Sequence, residues 1–210
     1  MGMLCRSIAE QGLDNILTHM DGAEMAEIRI EVSGLIPDEV KTLFGIHKSL
    51  IATCRPETIP DNKRAILLKS AIDGGAEWVD IETESSDEYI SEMVKYAKDH
   101  NCKVIISYHN YQSTPDKEYL ERIIEKSLFQ GADLVKIATM SNSVHDNYTL
   151  LSLYIPGRSV LAIGMGPIGR ITRIEALKNG APFTFVIAPG SHESAPGQYS
   201  EAEMRDILRV

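Results

Sequence analysis

The sequence predicts an α/β protein, a compact (β/α)8 TIM barrel formed as a single domain by residues 1–210. Two observations favour this class. Eight short β-rich runs alternate with eight longer helical patterns, and charged side chains recur on one face of several runs. A chain of 210 residues is short for such a barrel, which usually has about 250, so its loops must be minimal. An open, doubly wound sheet of eight strands is the structural alternative.

The predicted strands and helices alternate strictly along the chain. Short apolar runs predict strands over residues 4–9, 26–32, 50–54, 77–81, 103–108, 134–138, 160–164 and 183–187. Helices are predicted over residues 12–20, from 37 onward, and over 61–73, 86–100, 116–129, 144–154, 168–178 and 201–208. Pro37-Asp38-Glu39 suits a first helical turn, where proline and acidic residues are favoured. Gly74-Gly75, Gly131 and Gly180 are typical of helix ends.

Charged side chains lie on one face of the predicted strands. Successive side chains of a strand face opposite sides, so Glu27, Arg29 and Glu31 oppose the apolar Ala26 and Ile28. The apolar face fits against helices, so the charged face is expected to point into the barrel. Burying several ions is a poor route to stability alone, and barrels place functional residues at the C-terminal ends of strands. The other inward-facing charged or titratable residues are Arg55, Asp80, Glu82, His109 and Lys136.

Charge and cysteine content narrow the functional classes. A net charge of −9 argues against a nucleic-acid partner and leaves a small molecule as the expected ligand. Cys5, Cys54 and Cys102 are interpreted as core residues of a reducing compartment, and no Cys/His spacing indicates a metal site. No apolar run is long enough to span a bilayer, so a cytoplasmic protein without membrane association is expected.

Lys136 and His109 are the candidate catalytic residues. Lysine is unusual within an apolar strand, and its amine is a candidate nucleophile that forms an imine with a ketone. The alternative is a salt bridge from Lys136 to Glu27 or Glu82. His109 stands where the fifth strand ends and suits general acid/base catalysis, unless it is a solvent-facing loop histidine. Neighbouring strands lie about 4.8 Å apart, so the two side chains can meet over one substrate.

Three later segments are candidates for ligand binding. Arg173, on the helix after the seventh strand, suits bidentate binding of a carboxylate, although helical arginines are often only solvated charges. Gly164–Gly169 matches a GxGxxG pattern but is interpreted as a tight turn whose amides help bind an anion. Residues 191–199 form either an ordinary surface loop or a lid in which Ser194 and Gln198 contact the ligand.

Taken in order, these segments resemble the type I 3-dehydroquinate dehydratases of the shikimate pathway. The resemblance covers nearly the whole chain. Its pieces are Glu27-Ile28-Arg29, Thr53-Cys54-Arg55, Asp80-Ile81-Glu82, Ser107-Tyr108-His109, Val135-Lys136-Ile137-Ala138, Met165-Gly166 through Ile171-Thr172-Arg173, and Ser194 through Gln198. Each piece alone is weak, but all of them in order at the ends of the right strands form a specific signal.

The resemblance implies a conversion of 3-dehydroquinate to 3-dehydroshikimate and water. Lys136 would form an imine with the C3 ketone. His109 would remove a C2 proton and protonate the leaving C1 hydroxyl, and Arg173 would hold the carboxylate. No metal or organic cofactor is implied, because the lysine supplies the electron sink, and the family suggests a homodimer. The residues implied to bind hydroxyls or the carboxylate edge are Glu27, Arg29, Arg55, Ser194 and Gln198.

Two departures from the family pattern leave alternatives open. The histidine-orienting glutamate usually lies in a Glu-Gly-Gly segment after Thr-Cys-Arg. This chain lacks that segment, so either Glu57 serves from a shifted position or the role is lost. Cys5-Arg6-Ser7 replaces a more apolar first strand, a change that could open the barrel floor. The alternative functions are an aldolase-like barrel that forms an imine with a phosphorylated sugar, and a non-catalytic barrel that binds a metabolite or a partner.

Overall fold

Strands and helices alternate through the protein in a computed structural model that describes residues 2–56 and 59–208. The strands are β1 (Met3–Ile8), β2 (Met25–Arg29), β3 (Leu50–Thr53), β4 (Trp78–Glu82), β5 (Lys103–Asn110), β6 (Leu134–Met140), β7 (Val160–Met165), β8 (Phe183–Ile187) and β9 (Tyr199–Ser200). The helices are α1 (Leu13–Met20), α2 (Ile30–Ser33), α3 (Pro37–Phe44), α4 (Asp61–Gly74), α5 (Asp87–Asp99), α6 (Lys117–Phe129), α7 (Val144–Leu151), α8 (Gly166–Gly169), α9 (Thr172–Lys178) and α10 (Glu201–Leu208). None of these helices is long and apolar enough to cross a membrane.

The strands form one curled parallel sheet in the order β7-β6-β5-β4-β3-β2-β1-β8-β9. Each of the first eight strands places at least one side chain in a single apolar cluster, which forms the floor of the barrel. This arrangement confirms the predicted α/β barrel and excludes the open sheet with two separate faces. The floor cluster includes Cys5, Met25, Ile51, Trp78, Ile105, Leu134, Leu161 and Phe183.

The barrel has a seam between β7 and β8, which share no backbone ladder within residues 2–56 and 59–208. Helix α9 packs against both strands, and its Ala176 joins the floor cluster beside Phe183. Above the floor, the Gly166 N–H donates to the carbonyl of Pro196 at 3.0 Å and links the end of β7 to the loop after β8. Side-chain packing and this loop contact therefore close the barrel where strand pairing does not.

Alternation along the strands separates an apolar outer layer from a polar interior. Ile28, Val79 and Ile106 are fully buried against the surrounding helices. The side chains of Glu27, Asp80 and Ser107 belong to the opposite, inward face, as the sequence predicts. The first strand follows the same rule, because Cys5 is buried in the floor and Arg6 faces outward. Apolar side chains therefore fill the floor of the barrel at the first strand, where the sequence suggested that the floor could be more open.

The second strand is shorter than predicted. It ends at Arg29, and Ile30–Ser33 form the short helix α2, so Glu31 does not continue the strand alternation. Gly34 ends this helix with φ 71°, a left-handed conformation that glycine adopts without strain. The alternating run up to Val32 resembles a strand in sequence, but the chain turns here, which leaves Ile30 buried and Val32 partly exposed.

Several other boundaries differ from the predictions. β5 and β6 run two residues further, so His109 lies within its strand and Lys136 lies deep in β6. The helix predicted over residues 144–154 ends at Leu151. The helix predicted over 168–178 is two helices, α8 and α9, because the chain bends after Gly169. The short strand β9 within the loop after β8 was not predicted.

Candidate active site

A cavity at the C-terminal ends of the strands brings all eight predicted site residues together. Its volume is about 440 Å³, counting the open mouth. The predicted residues in its wall are Glu27, Arg29, Arg55, His109, Lys136, Arg173, Ser194 and Gln198. The remaining lining is mostly apolar and comes from Tyr111, Ala138, Ile163, Met165, Phe185 and Ala195. A concave site with a few converging polar groups in an apolar wall is typical of a small-molecule pocket.

Lys136 extends from the middle of β6 into the wall of this cavity. Its Nζ lies 3.3 Å from Oδ2 of Asp80 and 3.8 Å from Oε1 of Glu27. The same nitrogen lies 4.2 Å from the centroid of the Phe185 ring. The salt bridge considered for Lys136 is thus present to Glu27, but the closer carboxylate is Asp80 rather than Glu82. The ammonium is held by two carboxylates while remaining at the surface of the pocket.

Asp80 is the central buried carboxylate of the site and was given no role from the sequence. It accepts a hydrogen bond from the Ser107 hydroxyl at 2.5 Å and lies 3.4 Å from Nη2 of Arg55. Burial acts to raise the pKa of Asp80, but Arg55 and Lys136 outweigh it and hold this pKa well below its usual range. Its inward position between Trp78 and Glu82 on β4 is the signal that could have indicated its role.

Glu27 is the second anion beside the lysine. Its Oε2 accepts from the Ser7 hydroxyl at 2.6 Å, and its Oε1 accepts from the Thr53 hydroxyl at 2.9 Å. Burial opposes ionisation, yet the charges of Lys136 and nearby arginines lower the pKa of Glu27. Both carboxylates are therefore ionised and fixed by neighbouring strands, so they can stabilise a positive charge at the lysine nitrogen.

His109 lies further up the same wall, two residues beyond Ser107 on β5. Its ring is nearly parallel to that of Tyr111, with an interplanar angle of 15° and 6.2 Å between centroids. Burial, reinforced by the positive charges of Arg55 and Lys136, holds the pKa of His109 well below 6.5. The imidazole is neutral near neutral pH and can accept a proton from a ligand.

Arg29 and Arg55 enter the cavity already paired with carboxylates. Nε of Arg29 donates to Oε1 of Glu31 at 2.7 Å, so the residue that leaves the strand pattern becomes a partner of the site. Nη1 of Arg55 donates to Oε1 of Glu82 at 2.6 Å. These two arginines are therefore oriented by the protein and largely neutralised.

Arg173 differs from the other arginines in having no carboxylate partner among the described residues. It is 2% exposed, its Nη2 donates to the Pro196 carbonyl at 3.4 Å, and its Nε has no hydrogen-bond partner. Burial lowers the pKa of Arg173 to about 10. Glu193 acts on this guanidinium without forming a salt bridge with it. A buried guanidinium without a directly bonded anion is costly, so this position is suited to an anionic ligand.

The loop after β8 covers one side of the cavity. The Ser194 hydroxyl donates to Oγ of Ser7 at 2.7 Å, and the Ser194 N–H donates to Oε1 of Gln198 at 2.8 Å. Gly197 has φ 78°, and a Cβ there would lie 2.5 Å from the Gly166 carbonyl oxygen. The loop is thus packed against the turn that begins α8, which explains the glycine at position 197.

The Gly164–Gly169 segment is the tight turn that the sequence predicts. Gly164 and Gly169 approach so closely that a Cβ on Gly169 would lie 2.4 Å from the Gly164 carbonyl carbon. The Gly164 N–H donates to the Thr172 hydroxyl at 2.7 Å, so this amide is already used within the fold. Glu57, the alternative histidine-orienting residue, lies outside the described residues.

The fold and the site define a class: a parallel α/β barrel whose cavity holds a buried lysine, a histidine and an unpaired arginine. Within that class, the chain belongs to the type I 3-dehydroquinase family, whose model matches residues 4–210. The family resemblance of the sequence is thereby confirmed. The curated relatives are named 3-dehydroquinate dehydratase, which is a hydro-lyase.

Two sequence relatives illustrate this family membership. The chain is 32% identical to a 3-dehydroquinate dehydratase of Methanocaldococcus jannaschii, over 99% of this chain and 98% of that protein. It is 40% identical to one of Methanococcus maripaludis strain C7, over 71% of this chain and 68% of that protein.

Solved structures agree with the fold. A type I 3-dehydroquinate dehydratase of Clostridium difficile, described with covalently modified comenic acid, has a TM-score of 0.87 and 26% identity. That match covers 99% of this chain and 91% of the other. A deoxyribose phosphate aldolase of Aeropyrum pernix has a TM-score of 0.60 at 18% identity, over 87% of this chain and 84% of the other, a likeness of fold alone.

Proposed function

We propose that this protein dehydrates 3-dehydroquinate to 3-dehydroshikimate through an imine on Lys136. The observation that supports this most directly is the shared cavity of Lys136, His109 and Arg173. It offers an amine, a neutral imidazole and an unpaired guanidinium to one ligand. A carboxylated ketone with a removable proton and a hydroxyl leaving group matches these three groups.

The first chemical step joins the lysine to the substrate. His109 takes a proton from the Lys136 ammonium, and the resulting amine attacks the C3 carbonyl. His109 then returns the proton to the carbinolamine hydroxyl, which leaves as water to give a protonated imine. His109 accepts and returns the protons that this exchange requires. The positive charge moves from the ammonium to the iminium nitrogen, where Asp80 and Glu27 continue to face it. The carboxylates therefore stabilise the intermediate without changing position.

The second step eliminates the hydroxyl. His109 removes a proton from C2, and the iminium takes up the electron pair to give an enamine. The enamine returns the pair, the C1–O bond breaks, and protonated His109 donates its proton to the departing hydroxyl, which leaves as water. Hydrolysis of the conjugated iminium then frees the product and regenerates Lys136. The iminium of Lys136 supplies the electron sink for this elimination, so the proposed route requires no metal or organic cofactor.

The remaining cavity residues are proposed to orient the ring. Arg173 binds the substrate carboxylate, because it is the cavity arginine with which no described carboxylate forms a salt bridge. The hydroxyls and the carboxylate edge are bound by Glu27, Arg29, Arg55, Ser194 and Gln198.

The test of this function is product formation read from the absorbance of the conjugated enone. We expect wild-type turnover of 3-dehydroquinate that is insensitive to a chelator and disappears in Lys136→Ala. Lys95→Ala is the matched control, because Lys95 is exposed on α5 and pairs there with Asp99. Turnover that survives in Lys136→Ala would contradict the imine mechanism, and activity on phosphorylated sugars instead would favour an aldolase-like enzyme.

We also propose that two copies of the chain associate. Val144 and Tyr148 are 61% and 68% exposed and lie one turn apart on α7. Ile168 and Ile171, also exposed, lie beside this helix, since the Asn147 side chain bonds to the Ile168 carbonyl. Contiguous exposed apolar side chains indicate an interface. Light scattering should report a dimer that Tyr148→Glu disrupts, whereas a monomeric wild type would exclude it.

A cytoplasmic location of the protein stays a prediction.

A further inference from the structure

Arg64 is a fully buried arginine that lies outside the cavity wall. It belongs to the first turn of α4, and its side chain is 0% exposed. Nε donates to the Cys54 carbonyl at 2.8 Å, Nη1 donates to Asp61 at 2.7 Å, and Nη2 donates to Glu82. Its guanidinium also lies over the Tyr89 ring at 5.0 Å. All three types of guanidinium nitrogen are thus used in directed contacts.

These contacts connect Arg64 to Arg55 from outside the cavity. Cys54, whose carbonyl accepts from Arg64, is the residue immediately before Arg55. Glu82 binds one guanidinium with each oxygen: Oε2 accepts from Arg64, and Oε1 accepts from Arg55 at 2.6 Å. Arg55 lines the cavity, whereas Arg64 and Glu82 do not. The chain Arg64–Glu82–Arg55 therefore connects a helix outside the barrel to a cavity side chain.

The same arginine fixes both ends of the segment that departs from the family pattern. Cys54 precedes this segment, and Asp61 follows it as the first residue of α4. A buried ion pair is seldom a net gain in stability over apolar side chains of similar size. A guanidinium that binds a backbone carbonyl and a shared carboxylate instead restricts where these groups can lie.

We propose that Arg64 is a positioning residue for Arg55, holding its backbone through Cys54 and its guanidinium through Glu82. The inference rests on the proposed function, in which Arg55 contacts the substrate. Without Arg64, Glu82 would lose one of its two cations, and Arg55 would be free to move toward Asp80 and Glu27. Those are the carboxylates that face Lys136, so substrate binding and the charge balance of the site would both change.

The protonation state of Glu82 gives the positioning role of Arg64 a measurable effect on the pH dependence of activity. Burial, together with the charge of Asp80, raises the pKa of Glu82 to about 7, although Arg55 and Arg64 act in the opposite direction. Removing Arg64 takes away one of the opposing charges, so the pKa of Glu82 should rise further. Protonated Glu82 would then fail to hold Arg55 at a pH where the wild-type carboxylate still does.

The experiment compares Arg64→Met and Arg64→Lys with the wild type and with Arg122→Met. Arg122 is an exposed helical arginine paired with Glu118 on the same helix, so its loss controls for removal of a guanidinium. We expect Arg64→Met to raise the KM about tenfold or more, with a smaller change in kcat, and to move the acid limb of kcat/KM to higher pH. Arg64→Lys should lie between it and the wild type, because charge is restored without the contact to Cys54.

A folded Arg64→Met enzyme with wild-type KM and pH profile would overturn the inference. So would an equal loss of activity at every pH without a change in KM, since that pattern reflects stability alone. If Arg64→Met does not fold, Arg64→Lys and Glu82→Gln decide the question. Glu82→Gln should reproduce the KM effect, and adding Arg64→Lys to it should have little further effect.

Two observations separate this inference from the proposed function. Wild-type turnover establishes the function regardless of Arg64, so an unchanged Arg64 variant then overturns only the positioning role. The position of Arg55 in a crystal structure of Arg64→Lys needs no turnover at all. A displaced Arg55 side chain supports the inference, and an undisturbed one contradicts it.

Discussion

The amine of Lys136 lies 3.3 Å from a carboxylate oxygen of Asp80, across one intervening strand. Ser107 on that middle strand, β5, donates to the same carboxylate. Asp80 has no exposed surface, whereas Lys136 reaches the cavity. Three adjacent strands thus supply one fixed unit in which a buried anion faces the nitrogen that is proposed to become an iminium.

Replacing Asp80 with asparagine should destabilise the protein and slow imine formation. The change leaves Arg55 and Lys136 with one fewer anion in a buried site, which typically costs about 3 kcal/mol or more. Urea unfolding should show the loss, and trapping of the substrate adduct should show a lower rate. Asp99→Asn is the control, since Asp99 is exposed on α5. Wild-type stability in Asp80→Asn would show that this carboxylate does not balance the buried cations.

The imidazole of His109 should titrate below pH 6.5 in the folded protein. Burial and the charges of Arg55 and Lys136 hold the pKa of His109 well below this value, so the imidazole stays neutral down to lower pH. A histidine C–H titration followed by NMR measures this pKa directly. A His109 that titrates at or above pH 6.5 would contradict the electrostatic description of the site.

The same histidine should make stability depend on pH with a defined sign. The folded-state pKa of His109 is below the unfolded value near 6.5, so the unfolded chain binds the proton first as pH falls. The free energy of unfolding should therefore decrease as pH falls from about 6.5 toward the folded-state pKa. His109→Asn should lack this component in denaturant titrations at a series of pH values. An identical pH dependence in the variant would refute it.

Arg173→Met should lose substrate binding without losing stability. The buried guanidinium has no carboxylate partner among the described residues, so removing it relieves a cost in the ligand-free protein. We expect kcat/KM to fall about a hundredfold or more, while the melting temperature stays equal or rises. Arg170→Met is the control, because Arg170 is partly exposed and paired with Glu203. A large drop in melting temperature would indicate a structural role for Arg173.

Arg6→Met should lower the stability of the protein and leave substrate binding unchanged. Nε of Arg6 donates to Glu201 of α10 at 2.7 Å, and Nη1 donates to the carbonyls of His19 and Asp21 at the end of α1, at 3.0 Å and 2.6 Å. Losing these buried contacts should lower the free energy of unfolding by about 3 kcal/mol, measured in urea. The KM should be unchanged because Arg6 faces away from the cavity. Arg158→Met, which removes a single, partly exposed ion pair with Glu121, should cost much less.

The barrel and the wall of the cavity were predictable because two simple rules applied. Alternation placed Glu27, Lys136 and His109 on the inner face, and parallel strands in a barrel bring their C-terminal ends together. The family resemblance assigned their roles. Arg173 and Gln198 needed that resemblance, because nothing in a short helix or a polar loop distinguishes a cavity residue from a solvated one.

What the sequence did not predict depends on contacts between distant segments. The end of β2 was misplaced because alternation continues through Val32 although the chain turns at Arg29. Asp80 was recognised as inward-facing, but its place between Arg55 and Lys136 depends on the register of four strands. The partners of Arg64 likewise become visible only when α4 is packed on the barrel.

The most direct test of the proposed mechanism is reduction with borohydride in the presence of 3-dehydroquinate, followed by mass spectrometry of the peptides. We expect one stable adduct per chain, located on Lys136, which requires both substrate and borohydride. Its absence under conditions where the enzyme turns over, or its location on another lysine, would contradict an imine at Lys136.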